Sequence, residues 1–263
     1  PFFPVMSVGE AYPIRAAAPN ASFPLCMLVL GLDGRHRRVR YDMKQWLTVR
    51  WPLSIEAGVN RAYARNLARH GPSPQGVFWN SAKSQTSRFA GLLAAIRRHR
   101  ATTGDNPVPP VIADIGCGYG ALLDYLSTHE AYTGWRYLGF DINPAMIRAC
   151  HERFPGRRAS FRVGGTPPEP VDYALFSGTF NLCMIDDAGR WRGYILDRLE
   201  HCRPVCRSCM VVNLLCRRRM AISNNIFYAE REDILERLRN RFGSVEAFDT
   251  PGQRHDVTFL IAE

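Results

Sequence analysis

Residues 111–120 read VIADIGCGYG, an apolar run that ends in an acidic residue and three glycines spaced two apart. The β-branched residues of this run are typical of a strand that is buried on both faces of a sheet. The stretch ALLDYL at 121–126 follows at once, and its apolar residues have the spacing of a helix. Because glycine lacks a Cβ, the turn between strand and helix can adopt positive φ angles and let a ligand approach the main chain. The pattern therefore predicts a strand, a ligand-binding turn and a helix.

A second apolar strand, YLGF at 137–140, ends in Asp141, about 20 residues beyond the last glycine of the turn. At that distance a carboxylate reaches the two hydroxyls of a ligand's ribose. The ligand is therefore expected to contain a nucleoside.

The glycine spacing indicates which nucleoside binds. A dinucleotide fold needs Gly-x-Gly-x-x-Gly so that a helix N-terminus can meet a pyrophosphate, whereas this chain has Gly-x-Gly-x-Gly preceded by Asp114. An acid in front of the turn would repel a phosphate and attract a cationic ligand. S-adenosylmethionine carries an ammonium and a sulfonium, so it is the cofactor that this turn favours.

Residues 114–120 fit at every fixed position the first motif of the class I S-adenosylmethionine-dependent methyltransferases, Asp/Glu-x-Gly-x-Gly-x-Gly, and the chain resembles that family. The resemblance implies an α/β fold with a Rossmann-like doubly wound sheet of about seven strands, the last strand antiparallel. It narrows to a bacterial group without assigned substrates and covers about residues 58–263. The stretches that carry this narrower resemblance are 63–65, 71–79, 84–89, 177–181 and 191–194.

Three segments are predicted along the chain. Residues 1–54 form an irregular N-terminal extension, rich in proline, in which 28–30 and 38–41 are compatible with a hairpin. Residues 55–106 form a helical cap, and residues 107–263 form the domain that binds S-adenosylmethionine. Helices are predicted at 55–70, from Ser81 to about 100, from Pro144, at 191–202 and at 230–241; strands are predicted at 161–163, 173–176, 210–215, 245–248 and 256–262.

The turns that follow the parallel strands are expected to meet at one edge of the sheet, where such folds bind their ligands. Asp141 is predicted to bind the ribose, and Asp114 with the backbone of the glycine turn to hold the methionine end. Arg88 is predicted to pair with the methionine carboxylate, and Trp79 to pack near the sulfonium. The predicted cofactor-binding residues are Asp114, Gly116, Cys117, Gly118, Asp141, Ile142, Gly165, Thr166, Ser177, Gly178, Trp79 and Arg88.

The catalytic residue and the methyl acceptor stay open at this stage. Tyr63, His70, Asn181 and His255 are equal candidates for a base, and methyl transfer itself requires no metal. The amine-methylating motif Asn/Asp-Pro-Pro-Tyr/Phe is replaced by SGTF at 177–180, which favours an oxygen, carbon or small-molecule acceptor over a nucleic-acid base. The alternatives are a protein that binds the cofactor without transferring the methyl group, a nucleic-acid or protein methyltransferase, and an aminopropyl transferase.

The charge distribution and the length of the apolar stretches limit which partners the chain is expected to bind. Residues 1–107 hold 15 basic and 5 acidic residues, whereas residues 108–263 hold 19 of each. The excess positive charge is scattered, without the aromatic residues of a nucleic-acid platform, so nucleic acid is an unlikely partner. The longest apolar stretch outside the core is too short for a bilayer, and we expect a cytoplasmic enzyme of undetermined oligomeric state.

The spacing Cys202-x3-Cys206-x2-Cys209 matches the signature of radical S-adenosylmethionine enzymes, and His201 would add a fourth ligand for zinc. Because Cys209 adjoins the strand predicted at 210–215, these cysteines are interpreted as buried small hydrophobes. No metal site is predicted.

Overall fold

The computed structural model describes residues 26–30, 36–40, 53–104 and 108–262. The chain divides into two compact units, Pro1–Arg50 and Trp51–Glu263. In the first unit, Cys26–Leu30 (β1) pairs antiparallel with His36–Arg40 (β2), which agrees with the hairpin that residues 28–30 and 38–41 were expected to allow.

The second unit contains six α-helices and a nine-stranded sheet within the described residues. The helices are Leu53–His70 (α1), Ala82–Thr103 (α2), Ala121–Ser127 (α3), Pro144–Arg153 (α4), Ala188–Cys202 (α5) and Arg231–Phe242 (α6). The strands are Val111–Ile115 (β3), Arg136–Asp141 (β4), Phe161–Val163 (β5), Val171–Phe176 (β6), Cys206–Arg217 (β7), Ala221–Ser223 (β8), Ile226–Glu230 (β9), Val245–Asp249 (β10) and Asp256–Ile261 (β11). Of these helices, none is long and apolar enough to cross a membrane.

Seven strands form the main path of the sheet in the order β10-β11-β7-β6-β3-β4-β5. Strand β3 lies between β4 and β6 and pairs parallel with both, while β11 is antiparallel to β7 and β10. The predicted doubly wound sheet of about seven strands, with its last strand antiparallel, is therefore confirmed. Strand order reverses between β3 and β6, which is where open α/β sheets bind ligands.

The sheet is buried on both faces, as the apolar strands predicted. One face packs against α5 and α6, with the fully buried Trp191 and Phe176 among its largest side chains. The other face packs against α2, α3 and α4, where Leu92, Leu93 and Ile112 are fully buried. Two apolar layers thus hold the sheet rigid beneath the turns that follow its parallel strands.

Local signals set several helix starts. The Ser81 hydroxyl accepts a hydrogen bond from the Ser84 amide (3.1 Å) and begins α2 as predicted. The Asn143 side chain accepts from the Ala145 amide (2.9 Å) in front of Pro144, which fixes the first turn of α4. Helix α5 begins three residues earlier than predicted because Asp187 caps it by accepting from the Arg190 amide (2.9 Å).

Two other predicted boundaries were wrong by three or more residues, and one hairpin was missed. Helix α2 continues to Thr103, beyond the predicted end near residue 100. Strand β7 begins at Cys206 rather than at 210, because β6 supplies a parallel partner from Val171 onward. The hairpin of β8 and β9 was missed; it turns at Asn224 and Asn225, both in the left-handed region, and β9 extends the sheet beside the end of β7.

Candidate active site

One cavity lies at the carboxyl ends of β3, β4 and β6, and helices α1 and α2 line it from the other side. The space between its lining residues is about 1000 Å³, including the part that opens to solvent. The turns after β3, β4, β5 and β6 all contribute to it, as the sequence predicted. Its lining residues are Val59, Asn60, Tyr63, Val77, Trp79, Gln85, Phe89, Asp114, Ile115, Gly116, Cys117, Gly118, Tyr119, Ala121, Asp141, Ile142, Gly164, Gly165, Phe176, Ser177, Gly178, Thr179, Phe180, Trp191, Tyr194 and Arg198.

The glycine turn forms the floor of the cavity. Gly116, Gly118 and Gly120 have φ angles of 79°, 55° and 83°, which L-residues rarely adopt. A Cβ on Gly116 would lie 2.7 Å from a methyl carbon of Thr179, so that position admits only glycine. The Thr179 hydroxyl in turn donates to the Ile115 carbonyl (2.6 Å), which ties the turn after β6 to the end of β3.

Asp141 connects the glycine turn to the end of β4. One carboxylate oxygen accepts from the Gly118 amide (2.9 Å), and the other accepts from the Asn143 amide (2.8 Å). Burial raises the pKa of Asp141 to about 6, although the two amides oppose that effect. Each oxygen keeps a second lone pair, so the carboxylate can accept further hydrogen bonds from a ligand.

Asp114 is a second buried carboxyl group in the same cavity. It accepts a hydrogen bond from the Tyr137 hydroxyl (2.8 Å), and burial raises its pKa to about 7, with the nearby Asp141 raising it further. Two buried carboxyl groups with raised pKa values repel each other when both are ionised. A cationic ligand would relieve that repulsion and favour the ionised forms.

The helical cap supplies an aromatic wall. Tyr63, Trp79 and Phe89 line the cavity, and burial raises the pKa of the Tyr63 phenol, with Asp141 adding to the effect. The phenol is therefore neutral at physiological pH. Phe78 is exposed and has a φ of 62°, a strained conformation for a bulky residue, and its ring contacts Tyr63 edge-on at 5.2 Å.

The far end of the cavity lies beside Ile142 and Gly165. Arg198 reaches this end from α5 and pairs with Glu56 of α1 (3.4 Å), whose carboxylate also accepts from the Tyr194 hydroxyl (3.1 Å). This pair connects the cap to the sheet domain. Arg198 and Tyr194 were not predicted as site residues. Tyr194 lies in the 191–194 stretch that carries the narrower resemblance, but that stretch gave it no role in the site, and nothing in the sequence marks Arg198.

Two polar side-chain atoms at the cavity are buried without a hydrogen-bond partner in the described part of the chain. They are the Asn60 amide oxygen and the Ser177 hydroxyl. Buried polar atoms are rarely left unpaired, because each costs about 1–3 kcal/mol. Both atoms are therefore available to a bound ligand. Asn60 lies three residues before Tyr63 and on the same face of α1, a helical spacing that would have indicated it.

Ten of the twelve residues predicted to bind the cofactor line this cavity. Thr166 and Arg88 do not. Thr166 is one residue beyond the lining Gly165, and Arg88 lies behind Trp79, where its guanidinium forms an ion pair with Asp256. Of the four candidates for a base, Tyr63 lines the cavity, whereas His70, Asn181 and His255 do not.

The cysteines of the 202–209 segment do not face a common point. Cys202 and Cys206 are buried in the layer beside α5, and Cys209 is buried in the opposite layer of the core. Burial raises the pKa of Cys202 to about 12 and that of Cys206 to about 11, so both are thiols at neutral pH. Within the described residues, no group of three His, Cys, Asp or Glu side chains could hold a metal ion.

The fold and the glycine turn at its switch point together define a Rossmann-like domain. Residues 113–204 match the model of the methyltransferase domain family. The chain is 30% identical over 156 residues, 58% of its length, to "Putative methyltransferase Rv1506c" of Mycobacterium tuberculosis, and covers 93% of that protein. The chain belongs to the class I S-adenosylmethionine-dependent methyltransferases, and S-adenosylmethionine is its cofactor.

The chain is also similar, at low sequence identity, to two solved methyltransferase structures. The 1,6-didemethyltoxoflavin-N1-methyltransferase of Burkholderia thailandensis is 17% identical, with a TM-score of 0.49, 79% of this chain covered and 88% of that one. The magnesium protoporphyrin IX methyltransferase of Synechocystis PCC 6803 is 11% identical, with a TM-score of 0.49, 79% of this chain covered and 97% of that one. The family assignment rests on the two sequence matches.

Proposed function

We propose that this methyltransferase acts on a small-molecule acceptor and holds S-adenosylmethionine in the cavity above the glycine turn. The observation that carries the proposal is the meeting of two buried carboxyl groups, Asp114 and Asp141, with a turn that only glycine can form. The unpaired polar atoms of Asn60 and Ser177 fit a ligand rich in hydrogen-bonding groups.

Each part of the cofactor has a matching group in the cavity. Asp141 would bind the ribose hydroxyls, since its oxygens have unused lone pairs. Asp114 and the backbone around Gly116, Cys117 and Gly118 would hold the methionine end. The remaining assignments put Ile142 and Gly165, with Thr166 one residue beyond the cavity lining, near the adenine, and Ser177, Gly178 and Trp79 near the methyl group.

When bound, the cofactor supplies an electrophilic methyl group on a sulfonium, which an acceptor attacks in line. The chain's own contribution is alignment and exclusion of water by the cap. Tyr63 cannot remove a proton as a phenolate, because burial raises its pKa and keeps it neutral. Its hydroxyl can instead orient an acceptor by a hydrogen bond, and Phe78 beside it offers an exposed aromatic ring at the cavity edge.

A small acceptor is favoured over a nucleic acid by the charge distribution. Residues 108–263 contain as many acidic as basic residues, and the excess basic residues of the cap helices are scattered, without the interleaved aromatic residues of a nucleic-acid platform. Tight binding of a nucleic-acid backbone requires an excess of positive charge near the site.

The test is a transfer assay with S-adenosylmethionine that carries a labelled methyl group. The enzyme is incubated separately with a low-molecular-weight cell extract, total RNA, fragmented DNA and unfolded protein. We expect label to transfer only into the small-molecule fraction. At a cofactor concentration below the wild-type Kd, transfer should fall roughly tenfold to a hundredfold with Asp141→Asn. Asp186→Asn, which changes an exposed carboxylate, is the matched control. Transfer into RNA, DNA or protein would contradict the small-molecule acceptor, and failure to bind the cofactor would contradict the site.

A further inference from the structure

A buried chain of polar groups runs from helix α2 to the loop after β6. It consists of Arg88, Asp256, Asn213 and the backbone amide of Gly178. We propose that Arg88 is a positioning residue that fixes the Gly178 loop through Asp256 and Asn213, and that it does not bind the cofactor's carboxylate. This inference rests on the proposed function, because the Gly178 loop is assigned to the reacting end of the cofactor.

The first link is an ion pair sealed inside the protein. The side chains of Arg88 and Asp256 are 7% and 1% exposed, and the Arg88 Nε contacts the Asp256 Oδ2. A buried charge that loses its partner is costly, so each group strongly constrains the other. Asp256 is held from its other side by the Thr250 hydroxyl, which donates to its second oxygen (2.7 Å).

The second link fixes the orientation of the Asn213 amide. Its Nδ2 donates to Asp256 Oδ2 (3.0 Å), so its Oδ1 has to point the other way. That oxygen accepts from the Gly178 amide at 2.7 Å. Asn213 is fully buried on β7, and the carboxylate therefore determines which of its atoms faces the loop.

The third link is steric and connects the same arginine to the cavity wall. The Arg88 guanidinium carbon lies 4.1 Å from the centre of the Trp79 ring, and Trp79 lines the cavity. Gly178 has a φ of 69°, and a Cβ there would lie 3.1 Å from Trp79 and 3.3 Å from Arg88. One buried cation thus holds both Trp79 and the Gly178 loop in place.

These contacts argue against the alternative role. A guanidinium that binds a ligand's carboxylate has to present its donors to the cavity. The Nε of Arg88 lies against Asp256 Oδ2, its guanidinium lies over the Trp79 ring with Nη1 beside Gly178, and Arg88 does not line the cavity.

The two roles are separated by a double-mutant cycle on the affinity for S-adenosylhomocysteine, measured by calorimetry. The variants are Arg88→Met, Asn213→Leu and their combination. We expect each single variant to bind about tenfold more weakly than the wild type. The combination should bind no more weakly than either single variant, because both substitutions interrupt the same series of polar contacts. If Arg88 bound the carboxylate directly, the two losses would be independent and the combination would bind about a hundredfold more weakly. That result, or wild-type affinity in Asn213→Leu, would overturn the proposal.

A spectroscopic measurement on the ligand-free protein tests the positioning directly. The amide resonance of Gly178 in a ¹⁵N spectrum should shift in Arg88→Met, although Arg88 does not bond that amide. Arg98→Met, which removes an exposed arginine from the same helix, should leave the resonance in place. An unshifted Gly178 resonance in Arg88→Met would overturn the proposal whether or not the protein binds the cofactor.

The variant Arg88→Met/Asp256→Asn guards against unfolding, because it leaves no unpaired buried charge. It should remain folded and still bind S-adenosylhomocysteine about tenfold more weakly than the wild type. Wild-type affinity in this variant would show that the contacts from Arg88 through Asp256 and Asn213 to Gly178 do not affect cofactor binding. If the wild type itself failed to bind, the proposed function would fall, and the Gly178 resonance would still decide the role of Arg88.

Discussion

Asp141→Asn is the perturbation that distinguishes a ligand-binding carboxylate from a purely structural one. In the ligand-free protein Asp141 accepts hydrogen bonds from the amides of Gly118 and Asn143, so it already has a structural role. Asparagine has nearly the same shape, keeps one acceptor oxygen and removes the charge. Any change in the affinity for S-adenosylhomocysteine is then caused by the loss of the negative charge and of one acceptor oxygen.

The expected magnitudes follow from burial and hydrogen bonding. The pKa of Asp141 is raised from 3.8 to about 6 by burial, so its ionisation costs the folded state about 3 kcal/mol at neutral pH. Asparagine removes that cost but leaves one buried amide facing an NH₂ group, which costs about 1–3 kcal/mol. The two effects nearly cancel, and the variant should melt within a few degrees of the wild type at pH 7.

The loss of affinity for the ligand has no such compensating term. Losing charge-assisted hydrogen bonds to two ribose hydroxyls costs about 1.5–3 kcal/mol, which is roughly a tenfold to hundredfold loss of affinity. The assay is calorimetric titration with S-adenosylhomocysteine, with thermal unfolding of the same samples. The matched control is Asp172→Asn, since Asp172 also accepts from a backbone amide, that of Val111 (2.7 Å), but lies at the opposite edge of the sheet.

Two outcomes would refute the reasoning. Unchanged affinity with a lower melting temperature would mean that Asp141 only braces the glycine turn. An equal loss of affinity in Asp172→Asn would mean that the effect arises from general weakening of the sheet.

Three further predictions address ionisation, the glycine turn and the cysteines. Because the pKa values of Asp114 and Asp141 are raised to about 7 and about 6, affinity for the cationic S-adenosylmethionine should rise between pH 5 and 8. For the same reason, the stability of the ligand-free wild type relative to Asp141→Asn should be greatest below about pH 4 and should decline as the pH rises through 6. A difference in melting temperature that does not depend on pH would contradict this. Gly116→Ala should lower the melting temperature and abolish binding of S-adenosylhomocysteine, since φ is 79° and the new Cβ meets Thr179 at 2.7 Å, whereas Gly156→Ala, where a Cβ has open space, should do neither. The protein purified anaerobically should be colourless and free of iron, and the triple change Cys202→Ser, Cys206→Ser, Cys209→Ser should cost stability while leaving cofactor affinity within a few fold; a brown protein that loses its colour in that variant would restore the cluster hypothesis.

The parts of the site that could be predicted from sequence are those that depend on local backbone chemistry. The glycine turn and Asp141 follow from spacing along the chain, because positive φ angles and strand ends are local properties. The missed hairpin of β8 and β9 also had a local signal. Asn224 and Asn225 tolerate the left-handed conformation that a two-residue hairpin turn needs.

The rest depends on contacts between distant segments. Arg88 on α2 meets Asp256 at the start of β11, and Arg198 on α5 meets Glu56 on α1. No spacing rule connects such pairs, because they form only once the helices are packed on the sheet. The raised pKa values of Asp114 and Asp141 likewise come from burial in the finished fold.

The most direct test of the central claim is a crystal structure of the protein with S-adenosylhomocysteine. The expected result has the ribose hydroxyls within hydrogen-bond distance of the Asp141 carboxylate, and the amino-acid end over the backbone of Gly116 and Gly118 near Asp114. A nucleoside bound elsewhere, with Asp141 bonded only to the amides of Gly118 and Asn143, would contradict the account.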